Sequence, residues 1–260
     1  MAGENQIMLL YEDEEIIVYH KPAGLAVQSA VIGQLDLVSK LNNYLGKDMI
    51  HVVHRLDQPV EGIIVLAKTK QAAAELGKQV TDGRMKKIYH AVCCHEITED
   101  KNKSEIILKQ QRLPENQLEK LSETSDRSWY QLVDYLVKDG RKNVSTVTGK
   151  DRRDAKKAEL SFRVLAKKRM PEDHGELLLT EIELKTGRHH QIRVQMAHAG
   201  FPLYGDRKYN EKWERFLTNE EQLKLALCAV SLTFFHPRTK KTMDFAICPE
   251  NKIFAIFENL

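Results

Sequence analysis

The sequence predicts an α+β fold built on a mixed, largely antiparallel sheet. Two observations carry this prediction: strand-like apolar segments outnumber segments with a helical period, and few of the predicted strands alternate strictly with helices. Of the 260 residues, 42% are hydrophobic and 30% are charged, which is typical of a globular chain with a sizeable core. Because there is no repeat, Pro/Ser-rich linker or clean change in composition, we expect one domain over residues 1–260.

The predicted strands are short apolar runs bounded by turn residues. The clearest is the β-branched run at residues 63–66, between Gly62 and Lys68. The first strand is expected to begin near residue 15. The full set is residues 15–20, 52–53, 63–66, 87–93, 106–108, 131–137, 159–166, 176–184, 225–235 and 242–248.

Four segments have the apolar spacing of a helix. Thr69 stands where it can cap one of them, while Gly46 and Gly200 follow two others at the position that favours a left-handed backbone. The four segments are residues 35–45, 69–80, 192–199 and 251–258.

Positive charge is concentrated in one part of the chain. The net charge is only +3, but residues 138–169 contain twelve basic and four acidic residues, a local excess of +8. Residues 138–158 have no apolar period, which predicts a mobile basic loop. A segregated basic surface attracts a polyanion such as RNA; the alternative is an ordinary solvated loop.

Several classes of protein are not favoured by the sequence. It has no apolar run long enough for a membrane span, no secretory signal and no disulfide framework among its four cysteines, so we expect a reduced cytoplasmic protein. The ten histidines do not show the spacing of a zinc site. Phosphate-loop, dinucleotide and serine-hydrolase motifs are also lacking, and we expect neither a metal nor a cofactor.

One carboxylate lies in the middle of the stretch with the clearest strand–turn–strand pattern, HVVHRLDQPVEGIIVLAK at residues 51–68. Asp57 follows one apolar strand and precedes another, on a short loop that ends in Gln58 and Pro59. Scaffolds place reacting groups in such positions. The alternative is that Asp57 only opens the turn before Pro59 and pairs with Arg55.

Two further elements present polar groups that a sheet could bring to this carboxylate. Tyr89 lies on one face of a strand, and Arg188 and Arg193 flank the turn into a helix. A guanidinium next to a carboxylate keeps it ionised, which suits a nucleophile better than an acid. The alternatives are a structural ion pair for Arg193 and a half-buried strand tyrosine for Tyr89.

Five motifs, in order along the chain, resemble those of the RluA-type pseudouridine synthases. Any one of them alone would be a weak signal, but together the matches span Tyr11 to about Phe257 in the right order. They are KPAGLAV at 21–27, HRLD at 54–57 with GIIVLAKT at 62–69, KIYHAV at 87–92, LKTGRHHQIRVQMAHAGFPLYGD at 184–206 and LALCAVSLTFFHP at 225–237.

The resemblance implies a pseudouridine synthase fold with a central cleft, and the isomerisation of specific uridines in structured rRNA or tRNA without cofactor or metal. It implies that Asp57 is the nucleophile, attacking either C1′ of the ribose or C6 of the base. Tyr89 would stack on the uracil and could remove a proton from it. Arg193 would pair with Asp57 and hold it ionised.

The resemblance also implies a set of RNA contacts on a protein that acts as a monomer, away from membranes. Arg55 would enter the RNA helix where the uridine has been flipped out, at a cost of a few kcal/mol in lost stacking. The predicted RNA-binding residues are Arg55, His54, Arg188, His190 and Lys87.

The chain departs from the family pattern at three places. Residues 58–62 are QPVEG where the family usually has x-x-T-S-G, so Glu61 would add negative charge close to the expected RNA path. Gln28 and Gln195 stand where a histidine is common. A first strand near residue 15 leaves no room for the N-terminal S4 domain that many members carry.

Two other functions stay open at this point. A non-catalytic RNA-binding or ribosome-assembly factor could retain the same fold, although all the proposed reacting residues are present. A metal-dependent nuclease would instead cleave RNA and lose its activity in the presence of a chelator.

Overall fold

The computed structural model describes residues 8–29, 33–95, 129–170, 175–211 and 224–257. These residues form two compact units, which we describe separately. Unit 1 comprises residues 1–87 and 228–249, and unit 2 comprises residues 88–227 and 250–260, each within the described ranges.

Unit 1 is a six-stranded mixed sheet with two helices. The strands of its main path lie in the order β1-β2-β4-β10, while β3 pairs with β4 and β11 pairs with β10. Strand β4 is antiparallel to β2 and parallel to β10. The elements are β1 (Leu9–Glu12), β2 (Ile16–Lys21), α1 (Leu37–Leu45), β3 (His51–Val52), β4 (Glu61–Ala67), α2 (Lys70–Thr81), β10 (Leu227–Phe235) and β11 (Thr242–Ala246).

Unit 2 is an antiparallel sheet of five strands in the order β5-β9-β8-β6-β7. One α-helix and one 3-10 helix accompany it in the described part of the chain. The elements are β5 (Lys86–His95), β6 (Tyr130–Asp139), β7 (Val144–Thr148), β8 (Lys156–Arg169), β9 (Glu176–Leu184), α3 (Gln191–His198) and the 3-10 helix Lys252–Phe257.

The ends of the helices follow from local side-chain and backbone chemistry. The Asp36 carboxylate accepts the Ser39 N–H at 2.8 Å at the start of α1, and Gly46 ends that helix in the left-handed region at φ 67°. The predicted cap of α2 is confirmed, because the Thr69 hydroxyl accepts the Ala72 N–H at 3.1 Å. These caps set where α1 begins and ends and where α2 begins, and so they define the ends of the loops that join the two helices to the strands of unit 1.

The core of unit 1 lies between its sheet and α2. Every residue of β2 and β4 is buried, as the unbroken apolar run at residues 63–66 predicted. One helix face packs on this sheet through Ala72 and Leu76. The strand residues of the cluster are Ile16, Val18, Ile63, Val65, Ala67, Leu232 and Phe234.

A glycine permits the parallel contact between β4 and β10. Gly62 has a φ of 136°, a conformation that residues with a side chain rarely adopt. A Cβ atom at this position would overlap the backbone of Ala229 on β10. The close approach of the two strands therefore requires glycine here.

Two predictions about the course of the chain are wrong. The first strand is β1, which begins at Leu9 rather than near residue 15, because a short edge strand with mixed polarity has no clear apolar period. The segment 138–158 is not a loop throughout: it contains β7, which pairs with β6 from Val144↔Asp139 to Thr148↔Tyr135. Backbone pairing to an edge strand forms a strand that the polar sequence did not indicate.

The α+β class with a mixed, mostly antiparallel arrangement is confirmed, and β9 has the predicted bounds. The predicted strand at 106–108 lies outside the described residues. The single domain stays a prediction. None of the helices in the described residues combines the length and apolarity required to cross a bilayer.

A buried histidine joins two turns of unit 1 through Asp13. His236 accepts two backbone N–H groups on Nδ1, so its Nε2 carries the proton and donates to Asp13 Oδ2 at 2.7 Å. The other carboxylate oxygen accepts the backbone N–H groups of Glu15 and Ile16 at 2.8 and 2.9 Å. Burial tends to raise the pKa of Asp13, but these hydrogen bonds outweigh it and the pKa is lowered.

We expect Asp13→Ala to destabilise the protein in a pH-dependent way. Because the folded pKa of Asp13 is lowered, its contribution is present above the pKa of the unfolded carboxyl and is lost as the pH falls through the folded value. The difference in melting temperature between wild type and variant should therefore be large at neutral pH and shrink at about pH 2. Asp48→Ala, at an exposed position, is the control; a difference for Asp13→Ala that does not depend on pH would contradict this explanation.

Candidate active site

Asp57 lies on the loop between β3 and β4, as the sequence predicted. The loop closes in a turn in which the Val60 N–H donates to the Asp57 carbonyl oxygen at 3.0 Å. Leu56 is buried on one side of Asp57, and the carboxylate itself is half-buried. The fixed ends of two strands and a buried neighbour thus limit the positions that this carboxylate can take.

A second loop, at residues 22–25, is tied to the Asp57 loop by the backbone and side chain of Gln58. The Gly24 N–H donates to the Gln58 carbonyl oxygen at 2.8 Å, and the Gln58 side-chain amide donates back to the Gly24 carbonyl oxygen at 3.0 Å. Gln58 stands at an unspecified position of the family pattern. Its backbone carbonyl and its side-chain amide both contact Gly24, and so join the two loops.

Lys21 holds both loops from within the core, and sequence analysis missed it. Its side chain is 0% exposed, and Nζ donates to the carbonyl oxygens of Pro22 at 3.0 Å, Leu25 at 2.7 Å and Gln58 at 3.2 Å. An ammonium group has three N–H bonds, so all of them are used. The KPAG motif was a signal for a tight loop, but it does not reveal that the lysine points inward.

The charge of Lys21 is sensitive to its surroundings. Burial lowers its pKa to about 8, while the carboxylates of Asp57 and Glu61 act in the opposite direction and favour the ammonium form. At neutral pH the site therefore contains a buried cation whose field reaches Asp57.

His54 supports the Asp57 loop from the side of β4. Its ring is buried, and Nε2 accepts the Val65 N–H at 3.2 Å, so the proton of the neutral ring lies on Nδ1. Burial, together with the positive charge of Lys87, lowers the pKa of His54 well below its usual value, and the ring is neutral. The predicted RNA contact of His54 stays a prediction, although burial of the ring favours a supporting role.

The two remaining cations predicted in unit 1 differ in exposure. Arg55 is exposed, as a side chain that enters RNA would have to be. Lys87 is half-buried, and desolvation lowers its pKa to about 8. Both RNA-binding roles stay predictions.

Glu61 is not on the surface as the sequence analysis supposed. It is only 4% exposed at the start of β4, and its Oε1 lies 3.1 Å from Nε2 of His20 on β2. A buried carboxylate needs a polar or charged partner, and His20 is such a partner. The negative charge is therefore inside unit 1.

Tyr89 is held on β5 of unit 2. It lies opposite Ile182 of β9 and, with 5% exposure, is more buried than a half-exposed strand tyrosine. The alternation of β5 places it on the face opposite to Ile88, as predicted.

Arg193 projects from α3 and is buried in unit 2. Its Nε donates to Oδ2 of Asp206 at 2.8 Å and its Nη2 to Oδ1 at 2.6 Å, which is a two-point ion pair. The guanidinium carbon also lies 5.2 Å from the ring centroid of Tyr209. The predicted pairing with Asp57 stays a prediction, and Asp206 is an acidic partner that the sequence analysis did not assign.

Asp206 receives further support from the backbone that follows it. Its Oδ1 accepts the N–H groups of Lys208 at 3.0 Å and Tyr209 at 3.3 Å. Gly205, immediately before it, has a φ of 73° and passes close to the backbone of Lys224. The signal available in the sequence was the Gly-Asp pair that ends the motif at residues 184–206. The carboxylate of Asp206 could have been matched with Arg193 of the same motif.

His190 begins α3 and is neutral. The Tyr209 hydroxyl accepts the Ser145 N–H at 2.7 Å, and its oxygen lies 2.9 Å from Nδ1 of His190. Burial, followed by the positive charge of Arg193 and other cations, lowers the pKa of His190 to about 3. Arg188 is exposed and its Nε donates to the Lys157 carbonyl oxygen at 2.9 Å. Their RNA contacts stay predictions.

The predicted residues thus fall into two groups. Asp57, Arg55, His54 and Lys87 belong to unit 1, while Tyr89, Arg188, Arg193 and His190 belong to unit 2. Among the described residues, no three His, Cys, Asp or Glu side chains lie where they could hold a metal ion. That the enzyme works without metal stays a prediction.

Comparison with known proteins decides the family. The profile described as RNA pseudouridylate synthase matches residues 15–198, which include Asp57, Tyr89 and Arg193. The chain belongs to the RNA pseudouridylate synthase family. The predicted resemblance is therefore confirmed, and members of this family isomerise uridine to pseudouridine in RNA.

Relatives within the RNA pseudouridylate synthase family cover most of the chain. It is 26% identical to tRNA pseudouridine synthase C of Vibrio cholerae over 90% of this chain and 88% of that protein. It is 30% identical to ribosomal large subunit pseudouridine synthase C of Buchnera aphidicola over 91% of this chain and 65% of that protein. Human RNA Pseudouridylate Synthase Domain Containing 1 superposes with a TM-score of 0.68 at 18% identity, covering 96% of this chain and 86% of that one, which supports the fold.

The buried pair of this pseudouridine synthase makes a testable contribution to its stability. We expect Arg193→Met to lower the free energy of unfolding by about 3–5 kcal/mol, because it leaves Asp206 buried without its cation. Urea unfolding measures the change. Arg238→Met is the matched control, since it removes an arginine from the exposed pair with Glu14; equal stability of the two variants would contradict a buried, two-point pair.

Proposed function

We propose that this enzyme converts specific uridines of structured rRNA or tRNA to pseudouridine, with Asp57 as the nucleophile. The observation that carries the proposal is the position of Asp57 in the HRLD motif, on the loop between β3 and β4 that Lys21 and Gln58 hold in place. Asp57 attacks either C1′ of the ribose or C6 of the base. The bond between N1 and C1′ breaks, and C5 bonds to C1′. The bond formed by Asp57 breaks again and frees the carboxylate. The proton of C5 leaves and N1 takes up a proton, so the base is isomerised with no net gain or loss of atoms.

Tyr89 and Arg193 assist this nucleophile in the proposed mechanism. The Tyr89 ring stacks on the flipped uracil, and its phenol oxygen removes the C5 proton. Arg193 uses Nε and Nη2 for Asp206, and its guanidinium has further N–H bonds on the other edge with which it pairs Asp57. In this proposal the guanidinium favours the ionised form of Asp57.

The flipped uridine is replaced in the RNA by Arg55. Its exposed guanidinium is planar and fills the gap in the base stack. Lys87, Arg188 and His190 complete the proposed RNA contacts, with His190 as a neutral hydrogen-bonding group because its pKa is about 3.

The choice between rRNA and tRNA rests on the relatives, which include enzymes named for each. The exposed cations of the β6–β7 turn and of the connection to β8 would bind the phosphates of either RNA. These exposed cations are Arg141, Lys142, Lys150, Arg152 and Arg153. The monomeric state and the cytoplasmic location are part of the same proposal, and the four cysteines, none of which forms a disulfide, agree with a reducing compartment.

We expect Asp57→Asn to abolish tritium release from RNA labelled at C5 of uridine. The amide is nearly the same size as the carboxylate but is not a nucleophile, so binding of the RNA should be largely retained in a filter-binding assay. Release at the wild-type rate would rule out Asp57 as the nucleophile.

Controls separate this function from its rivals. Asp48→Asn alters an exposed carboxylate of the same unit and should release tritium like the wild type. A non-catalytic binding factor would bind RNA and release no tritium in any variant. A metal-dependent nuclease would shorten the RNA and stop in the presence of a chelator.

We expect Tyr89→Phe to bind RNA like the wild type and to release tritium much more slowly. Phenylalanine keeps the aromatic face that stacks on uracil but has no phenol to accept the proton. Single-turnover rates at saturating enzyme measure the effect, with Tyr44→Phe as a control at an exposed position. An unchanged rate would limit Tyr89 to stacking.

A further inference from the structure

Tyr209 lies against the ion pair between Arg193 and Asp206, and it takes no part in the mechanism proposed above. The guanidinium carbon of Arg193 lies over its ring, 5.2 Å from the ring centroid. A cation over an aromatic face is attracted by the electrons of the ring, and more strongly where water is excluded. Arg193 is only 5% exposed, so little water competes with this contact.

The backbone of Tyr209 binds the other member of the ion pair. Its N–H donates to Oδ1 of Asp206 at 3.3 Å, and the same oxygen accepts Nη2 of Arg193 at 2.6 Å. The Asn210 N–H donates to the Asp206 carbonyl oxygen at 2.9 Å and closes the turn. Tyr209 therefore contacts both the cation and the carboxylate, and the turn fixes its ring relative to the pair.

The hydroxyl group of Tyr209 connects the ring to the sheet of unit 2. It accepts the N–H of Ser145 on β7 at 2.7 Å and lies 2.9 Å from Nδ1 of His190. The Ser145 hydroxyl donates to the His189 carbonyl oxygen at 2.8 Å, just before α3 begins. One residue of β7 thus supports both the ring and the start of the helix that carries Arg193.

The ion pair with Asp206 does not by itself fix the orientation of the guanidinium. It holds the edge formed by Nε and Nη2, but a carboxylate oxygen accepts hydrogen bonds over a broad range of directions. The guanidinium plane could therefore tilt about that edge. A ring on its face restricts this tilt, and a misplacement of about 1 Å in a reacting group can cost about 10²-fold in rate.

We propose that Tyr209 is a positioning residue for Arg193. Its ring attracts and covers the guanidinium, and so sets the direction of the N–H bonds that Asp206 does not use. This inference rests on the proposed function, in which those N–H bonds pair with Asp57. Tyr209 acts through Arg193 and not on the uridine itself.

The first test compares two substitutions of Tyr209 in single-turnover tritium release. Tyr209→Leu removes the ring and should slow release about tenfold, while the affinity for RNA in a filter-binding assay stays close to that of the wild type. Tyr209→Phe keeps the ring on the same turn and should recover most of the rate. A phenylalanine variant as slow as the leucine variant, or a leucine variant as fast as the wild type, would overturn the proposal.

The chain offers a matched control for the loss of a ring from an arginine. In unit 2 the guanidinium carbon of Arg163 lies 4.9 Å from the ring centroid of Trp129, and Arg163 forms an ion pair with Glu181 at 2.7 Å. Trp129→Leu should keep the wild-type rate whatever its effect on the melting temperature. A loss as large as that in Tyr209→Leu would overturn a specific role for Tyr209.

A graded change of the ring avoids the loss of volume that could unfold Tyr209→Leu. Phenylalanines with one, two or three fluorine atoms, placed at position 209, keep the shape of the ring. Because fluorine withdraws electrons, each added atom weakens the attraction of the ring for a cation. The rate of tritium release should therefore fall stepwise below that of Tyr209→Phe, and a constant rate across the series would overturn the proposal.

An NMR measurement separates this inference from the proposed function. The Nε–H signal of Arg193, assigned by its connection to the backbone amide of the same residue, is shifted by the ring current of Tyr209. It should move in Tyr209→Leu and much less in Tyr209→Phe. If the wild-type protein releases no tritium, the proposed function fails and this comparison still applies. A signal at the same position in all three proteins would overturn the inference alone.

Discussion

The loop that carries Asp57 depends on the buried ammonium group of Lys21. All three N–H bonds of this group donate to backbone carbonyl oxygens. Lys21 emerges from the end of β2, which is fully buried, so its position is set by the sheet. Its contacts to the carbonyl oxygens of Leu25 and Gln58 transmit that position to two loops that have no regular structure of their own. The cost of desolvating the charge is offset by these dipoles and by the nearby carboxylates.

In unit 2 the buried cation that is held in place is Arg193. The guanidinium of Arg193 cannot rotate freely, because Asp206 binds it at two points and Tyr209 covers it. The hydroxyl of Tyr209 in turn contacts His190 at the start of the same helix. Each unit therefore presents its proposed reacting group on a support of hydrogen-bonded and ion-paired side chains.

Sequence patterns predicted the parts of this enzyme that depend on local chemistry. The capped helix at Thr69, the buried strand at residues 63–66 and the loop position of Asp57 all follow from neighbours in the chain. The strand β7 was missed because its pairing with β6, rather than its own composition, forms it. The inward direction of Lys21 was missed because a lysine in a turn motif is far more often exposed.

The partners of the site residues were the hardest to predict. Asp206 lies thirteen positions after Arg193, and Glu61 lies forty-one after His20, so neither pair has a periodic signature. Such pairs depend on strand register and on loop closure, which a single sequence specifies only through the complete fold. The roles of the reacting residues came instead from motifs in a fixed order.

The parallel pairing of β4 with β10 has a consequence for the synthesis of the chain. Leu232 and Phe234 of β10 belong to the same apolar cluster as Ile16 and Val18, yet residues 88–227 are translated between them. While the ribosome adds that intervening segment, the nascent amino-terminal strands lack part of their hydrophobic cover and have an open hydrogen-bonding edge next to Gly62. Completion of the first unit must therefore await the arrival of a strand from near the carboxyl end.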